Sequence, residues 1–319
     1  MQLPTLAEIE AAAAVIRPYC PPTPQYHWPL LSARAGCEVW VKHENHTPIG
    51  AFKLRGGLYY LDQLHASGRR PAGLITATRG NHGQSLALAG RIAGMPVTVV
   101  VPHGNSREKN AAMRAFGAEL IEAGEDFESA RQTAAALAEE RGLEMVPPFQ
   151  RDLVCGVATY GLEFLRATPP LDTVYVALGM GSGVCGMMAA RDALGLGTEV
   201  IGVVAANAPA YALSFAAGEA RETGPVGTLA DGVACRVPST DALASILRGA
   251  TRIVQVSEAE IAQAMRSYYT DTHNLAEGAG AVALAALLQE GARHRRRVGV
   301  VLSGGNVDAA VFAPILAGG

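Results

Sequence analysis

Lys53 stands in Gly50-Ala-Phe-Lys-Leu-Arg-Gly56, an apolar, glycine-rich setting at the predicted start of a helix. A helix dipole and desolvation both lower an amine's pKa and favour its nucleophilic free base, so the position suits Schiff-base chemistry, with an ordinary surface lysine as the alternative. A second segment, Gly179-Met-Gly-Ser-Gly-Val-Cys-Gly186, follows a predicted strand and opens a predicted helix. Backbone N–H groups in such a turn face an anion, although the same glycines also serve a tight turn with close helix packing. A dinucleotide would need an acidic residue after the next strand to hold its ribose, but that strand, 200–204, runs into Ala205-Ala206-Asn207; a monophosphate fits better. Thr76-Ala-Thr-Arg-Gly-Asn-His-Gly-Gln-Ser85 and Ser303-Gly-Gly-Asn306 are two further loops rich in donors. Together the four segments supply what an aldehyde cofactor bearing a phosphate requires: an amine, a phosphate cradle, donors for a ring oxygen and a substrate carboxylate, and a partner for a ring nitrogen.

These segments need strands and helices to hold them. From residue 74 onward short aliphatic runs alternate with amphipathic stretches, the pattern of βαβ units and a mostly parallel sheet. The pattern predicts strands at 74–77, 97–101, 173–178, 200–204 and 298–302. It predicts helices at about 81–92, 106–116, 153–165 and 279–289, and a capping-box helix opening at Ser257 with Glu260. A long Gly- and Pro-containing connection is expected up to Val233. The fold class expected is α/β, two Rossmann-like domains with mostly parallel sheets. Residues 1–65 and 149–319 are expected to form a large cofactor-binding domain and residues 73–148 a small substrate-side domain.

The chain has 319 residues, 49% hydrophobic and 17% charged, which excludes disorder and describes an aliphatic globule. Lys and Arg number 26 against 29 Asp and Glu, a formal charge of −3, so no global field draws it to nucleic acid. The run from Arg293 to Arg297 around His294 reads as a solvated helix end. The five cysteines are scattered without a C-x-x-C pair, which fits a reducing cytosol, and no signal peptide is visible. Stretches 173–190 and 200–218 lack charge, but glycines interrupt the first and Asn207 and Pro209 the second, so neither is expected to span a membrane.

Over roughly residues 38–308 the combination resembles the fold-type II pyridoxal-phosphate enzymes, tryptophan-synthase-β-like in fold, and within them the serine/threonine dehydratases. The resemblance implies pyridoxal 5'-phosphate as cofactor, joined to Lys53 as a Schiff base, with Phe52 against its ring. Thr78-Arg-Gly-Asn-His82 matches the family's S-S-G-N-H loop, implying that Asn81 meets the cofactor's phenolic oxygen while Thr78, Arg79, Gly80 and His82 receive the substrate. Gly179, Met180, Gly181, Ser182 and Gly183 match its tetraglycine phosphate loop, and Ser303, in an intact S-G-G-N, is matched to the residue at the pyridine nitrogen. Asp231-Gly232 and Glu277-Gly-Ala-Gly280 resemble further segments lining the site, with Gly232 counted among the cofactor contacts. A neutral hydroxyl at the ring nitrogen disfavours a long-lived carbanion and suits prompt β-elimination.

The activity implied is dehydration and deamination of a β-hydroxy-α-amino acid to a 2-oxo acid and ammonia, with Lys53 as general base. A β-replacement synthase and a non-catalytic cofactor-binding protein are the alternatives. Three departures from the family pattern matter. Arg79 replaces the serine that acts as opposite-face acid/base in racemising relatives, so little or no racemase activity is expected, and Arg79 is left to engage the cofactor, an anionic substrate group or solvent. The stretch Gly202-Val-Val-Ala-Ala-Asn-Ala-Pro-Ala210 lacks the carboxylates that hold a divalent cation in related enzymes, and no metal site is expected there. Met180 and Ser182 interrupt the tetraglycine but preserve its N–H groups. His82 either shapes its loop or takes part directly. A cytoplasmic homodimer, with an amino acid as its small-molecule partner and neither nucleic acid nor membrane, completes the expectation.

Overall fold

A computed structural model describes residues 1–292, 294 and 296–318. In chain order the elements are α1 (Leu6–Ile16), β1 (Gln25–His27), α2 (Pro29–Ala35), β2 (Glu38–His43), α3 (Lys53–Ala66), β3 (Leu74–Ala77), α4 (Asn81–Ala93), β4 (Val97–Val101), α5 (Arg107–Ala115), β5 (Glu119–Glu122), α6 (Phe127–Arg141) and β6 (Glu144–Met145). There follow α7 (Arg151–Ala167), β7 (Thr173–Ala177), α8 (Ser182–Ala193), β8 (Glu199–Ala205), α9 (Ala210–Ala217), α10 (Thr240–Gly249), β9 (Arg252–Val256), α11 (Glu258–Thr272), α12 (Gly278–Glu290), β10 (Arg297–Leu302) and α13 (Ala309–Ala317). A short 3-10 turn covers Asp231–Val233.

The strands form two sheets, one in the order β1-β2-β10-β7-β8-β9 and the other β5-β4-β3-β6. Every pairing is parallel except β1 with β2. Leu74–Ala77 and Val97–Val101 are buried at every position, as expected of parallel strands covered on both faces. In the larger sheet α12 packs with α11 on one face, while α7 and α8 pack on the other. In the smaller, α4 lies against β3 and β4 on one face and α6 on the opposite one.

Each sheet reverses its winding beside the site. β7, β8 and β9 proceed in one direction and β10 returns to the other flank of β7; β3, β4 and β5 proceed likewise and β6 returns beside β3. A crevice opens outside the carboxyl ends of parallel strands at such a reversal, because the two adjoining loops diverge to opposite faces. The loops after β3, β7 and β10 are the donor-rich segments that the sequence singles out.

Several elements were not anticipated. The connection before Val233 contains α9, whose sequence AYALSFAA is apolar all round and has no side-chain cap, so neither periodicity nor a start signal marks it. The N-terminal strands, α10 and β9 also add to the expected set, and α13 follows the last strand. The capping box at Ser257 and Glu260 forms as expected. Within the basic run, Arg293 and Arg295 lie outside the described residues, and Arg297 opens β10. Among the described residues no helix is long and apolar enough to cross a membrane.

Candidate active site

Lys53 owes its place to the loop before it. The side chain of Thr47 bonds both the N–H and the carbonyl of Ala51, at 2.9 and 2.8 Å, while the Phe52 N–H donates to the Ser303 carbonyl at 3.0 Å. These bonds fasten the start of α3 to the loop after β10. The Lys53 amine enters a cleft lined from both sheets' sides. There it donates to Ser182 Oγ at 3.0 Å, and no carboxylate among the described residues pairs with it. Burial pushes its pKa down to about 8.

Across from Lys53, α8 begins without any side-chain cap. Its first intrahelical bond runs from Cys185 N–H to Gly181 O, so the N–H groups of Ser182, Gly183 and Val184 precede every helical acceptor. Gly181, the cap, has φ +102, a conformation costly to any residue with a Cβ, and an added Cβ would stand 2.8 Å from that of Ala242. Two buried tyrosines hold the loop's carbonyls from behind: Tyr211 donates to Met180 O at 3.1 Å and Tyr160 to Gly183 O at 3.0 Å. With its carbonyls engaged and its N–H groups free, the turn is an anion cradle at the positive end of a helix.

The third wall is the segment from Thr78 into α4. Thr78 Oγ1 accepts from the Gly80 N–H at 3.0 Å, folding the loop back before the helix starts, again without a side-chain cap. His82 is 6% exposed, and its Nε2 has no partner. Burial and the Lys53 charge lower its pKa to about 3, opposed by a hydrogen bond with the Val146 backbone, so the imidazole is neutral and presents a bare polar nitrogen. Arg79 is exposed on the same wall and has no hydrogen-bonding or ion-pairing partner among the described residues.

Ser303, nearly buried, donates to the Ala279 carbonyl at 3.3 Å, and Gly232 lies in the short turn facing the cradle. Phe52 presents its ring to the cleft and meets Tyr160 edge-on, with centroids 6.0 Å apart. Every residue the sequence nominated, from Phe52 and Lys53 through Thr78–His82 and Gly179–Gly183 to Gly232 and Ser303, lines this one cleft. Lys109 was missed. It reaches the cleft from α5 and bonds Asp231 and Glu277. A cation in a helix's first turn opposes the dipole, but Arg107 stands in the same turn, so the mismatch does not single Lys109 out in the sequence.

Residues 16–304 match the family model described as "Pyridoxal-phosphate dependent enzyme". The chain is 32% identical to an L-threo-3-hydroxyaspartate ammonia-lyase of a Pseudomonas species over the full length of both. It is 32% identical to an L-threonine ammonia-lyase of Thermotoga maritima, covering 98% of this chain and 78% of that protein. Among solved structures, maize serine racemase superposes with a TM-score of 0.92 at 26% identity, covering 99% of this chain and 98% of that one.

Proposed function

The chain belongs to the pyridoxal-phosphate dependent enzyme family, and we propose that it carries out β-elimination on a β-hydroxy-α-amino acid. The substrate is of the threonine, serine, 3-hydroxyaspartate or phenylserine type, and the products are a 2-oxo acid and ammonia. The observation that carries this reading is the Lys53 amine, held in the cleft beside the uncapped start of α8 with its pKa near 8 and no carboxylate partner.

The residues present fit pyridoxal 5'-phosphate. A dianionic phosphate suits the free N–H groups of Ser182 and Gly183 within the Gly179–Gly183 turn, and an aldehyde suits an amine with appreciable free base at neutral pH. Asn81, Gly232 and Ser303 would meet the ring's polar atoms, with Phe52 beside the ring. When bound, the cofactor supplies the electron sink that makes the substrate's α-proton acidic.

The chain's own groups do the rest. Lys53 takes the proton from the substrate's Cα, as its lowered pKa suits a general base. The start of α4, with Thr78, Gly80 and the backbone N–H of His82, receives the α-carboxylate. The proton lost from Cα and the hydroxide lost from Cβ leave together as water. The free enamine then takes up water and splits into oxo acid and ammonia without further help. Arg79, unpaired at the rim, is available to an anionic β-substituent.

The same reading assigns residues 1–65 and 149–319 to a larger cofactor-holding domain and 73–148 to a smaller one. It makes the protein a cytoplasmic homodimer. Exposed Leu30, Tyr269, Val311 and Leu316, on α11 and on the helices α2 and α13 that each pack against it, support the pairing.

The test is release of 2-oxo acid and ammonia by cofactor-loaded protein across both enantiomers of the four candidate substrates, with Lys53→Ala as control. Lysine-dependent turnover is expected. Product formed only with an added thiol would identify β-replacement instead, and no reaction despite bound cofactor would overturn the reading.

A further inference from the structure

Lys109 is the third residue of α5, and its N–H is capped by Ser106 Oγ at 3.0 Å. Its side chain leaves that helix and passes over Gly80, where an added Cβ would stand only 2.4 Å from Lys109 Cδ. Only a residue lacking a side chain leaves it room. The ammonium ends between two carboxylates on the other side of the cleft, 2.6 Å from Asp231 Oδ2 and 3.0 Å from Glu277 Oε2. Lys109 is 6% exposed and Glu277 2%.

Glu277 passes the contact on. Its second oxygen, Oε1, accepts from Asn81 Nδ2 at 2.5 Å, and Asn81 Oδ1 in turn accepts from Asn306 Nδ2 at 2.9 Å. Asn306 is itself fixed by donating to the Ile49 carbonyl at 2.8 Å. An amide whose oxygen faces a donor and whose nitrogen faces an anion has one orientation, with a single N–H left over. Burial pushes the Glu277 carboxyl up and the Lys109 ammonium pulls against it, so Lys109 favours the charged form that accepts from Asn81 most strongly.

We propose that Lys109 is a positioning residue that acts through Glu277 to orient the Asn81 carboxamide, committing its remaining N–H to the cofactor. This rests on the reading of Asn81 as a cofactor contact. The ammonium reaches this chain from the side of the smaller sheet, so the alignment of a cofactor donor depends on a contact made across the cleft.

The holoenzyme tests this through cofactor affinity and through the visible absorbance and circular dichroism of the bound cofactor, compared for wild type, Lys109→Met, Lys109→Arg, Glu277→Gln and the Lys109→Met/Glu277→Gln double variant. Lys109→Met is expected to weaken cofactor binding at least tenfold and shift the visible bands, with Lys109→Arg restoring both to within about threefold. Glu277→Gln should reproduce the loss, and the double variant should be no worse than either single one, since both cut one chain of contacts. Wild-type affinity and bands in Lys109→Met, or losses that add in the double variant, would overturn the proposal. Where Lys109→Met does not fold, Glu277→Gln alone decides through the same bands. A wild-type protein that binds cofactor but eliminates nothing would sink the elimination reading, while the binding and spectral comparison still decides the role of Lys109.

Discussion

Lys53 Nζ donates to Ser182 Oγ at 3.0 Å although the two residues open different helices 129 positions apart. The amine and the anion cradle are thus coupled before any ligand arrives: the Ser182 hydroxyl accepts from the amine and keeps its own proton to donate to an anion in the cradle.

The pH dependence of cofactor capture follows from the Lys53 amine. A protonated amine does not attack an aldehyde, so capture by apo-protein rises with pH through the amine's pKa, here about 8. At pH 7 about one amine in ten is free base, against about one in three thousand for an ordinary lysine. The second-order rate of cofactor recombination, followed by visible absorbance, should climb from pH 6 and level off above pH 9. A rate still climbing about tenfold per pH unit between pH 8 and 9 would show an unperturbed lysine.

His82 makes the opposite prediction. With its pKa down to about 3, it stays neutral across the working range and cannot supply an acidic limb between pH 5 and 7. His82→Asn, which gives up the ring's bond to the Val146 backbone, should lower kcat/KM by about tenfold through a less firmly held carboxylate-binding loop and leave the shape of the profile unchanged. Disappearance of a limb near pH 6.5 in that variant would contradict the assignment.

The strands that carry the site were legible because their residues repeat one physical demand. Leu74–Ala77 and Val97–Val101 are uncharged, mostly aliphatic runs buried at every position, each with a single threonine, and the donor-rich loop after Ala77 stands out against them. The glycine turn before Ser182 was legible for the same reason. Lys109 was not, because Asp231 and Glu277 lie 122 and 168 positions further on, and only the folded chain brings them to one ammonium. The tyrosines behind the cradle were hidden likewise: Tyr160 and Tyr211 read as ordinary core residues until the carbonyls they bind are known.

Beneath the site lies a buried charge network, which yields a stability prediction. Arg55, two residues after Lys53, is fully buried and bonds Glu44 at 2.7 and 3.0 Å and Glu163 at 2.7 and 2.8 Å. Lys42 also reaches Glu163, at 2.7 Å. Arg55→Met would leave two carboxylates to one ammonium, and breaking such a buried arrangement costs about 3–5 kcal/mol. Urea unfolding of the apo-protein measures this directly. A loss below about 1 kcal/mol would mean that water or the remaining partners compensate, and the network would not be what anchors the first turn of α3.

Under the proposed function, Arg79 bears on both stereochemistry and side-chain preference. A racemase must return a proton to the opposite face of the substrate's α-carbon, and a guanidinium holds its protons too tightly to exchange them there. Enantiopure serine incubated with the holoenzyme should therefore lose material to pyruvate without accumulating its mirror image, despite the close structural likeness to a serine racemase. The same guanidinium, exposed on the cleft wall and unpaired, can bind a second carboxylate through paired N–H donors. Arg79→Met should then cut kcat/KM for 3-hydroxyaspartate by ten- to a hundredfold, as expected from one charge-assisted contact worth about 1.5–3 kcal/mol, and leave threonine within about threefold. Equal losses on both substrates would place the guanidinium on the cofactor or on the carboxylate that all the substrates share, and no loss on either would make it a solvent-facing arginine.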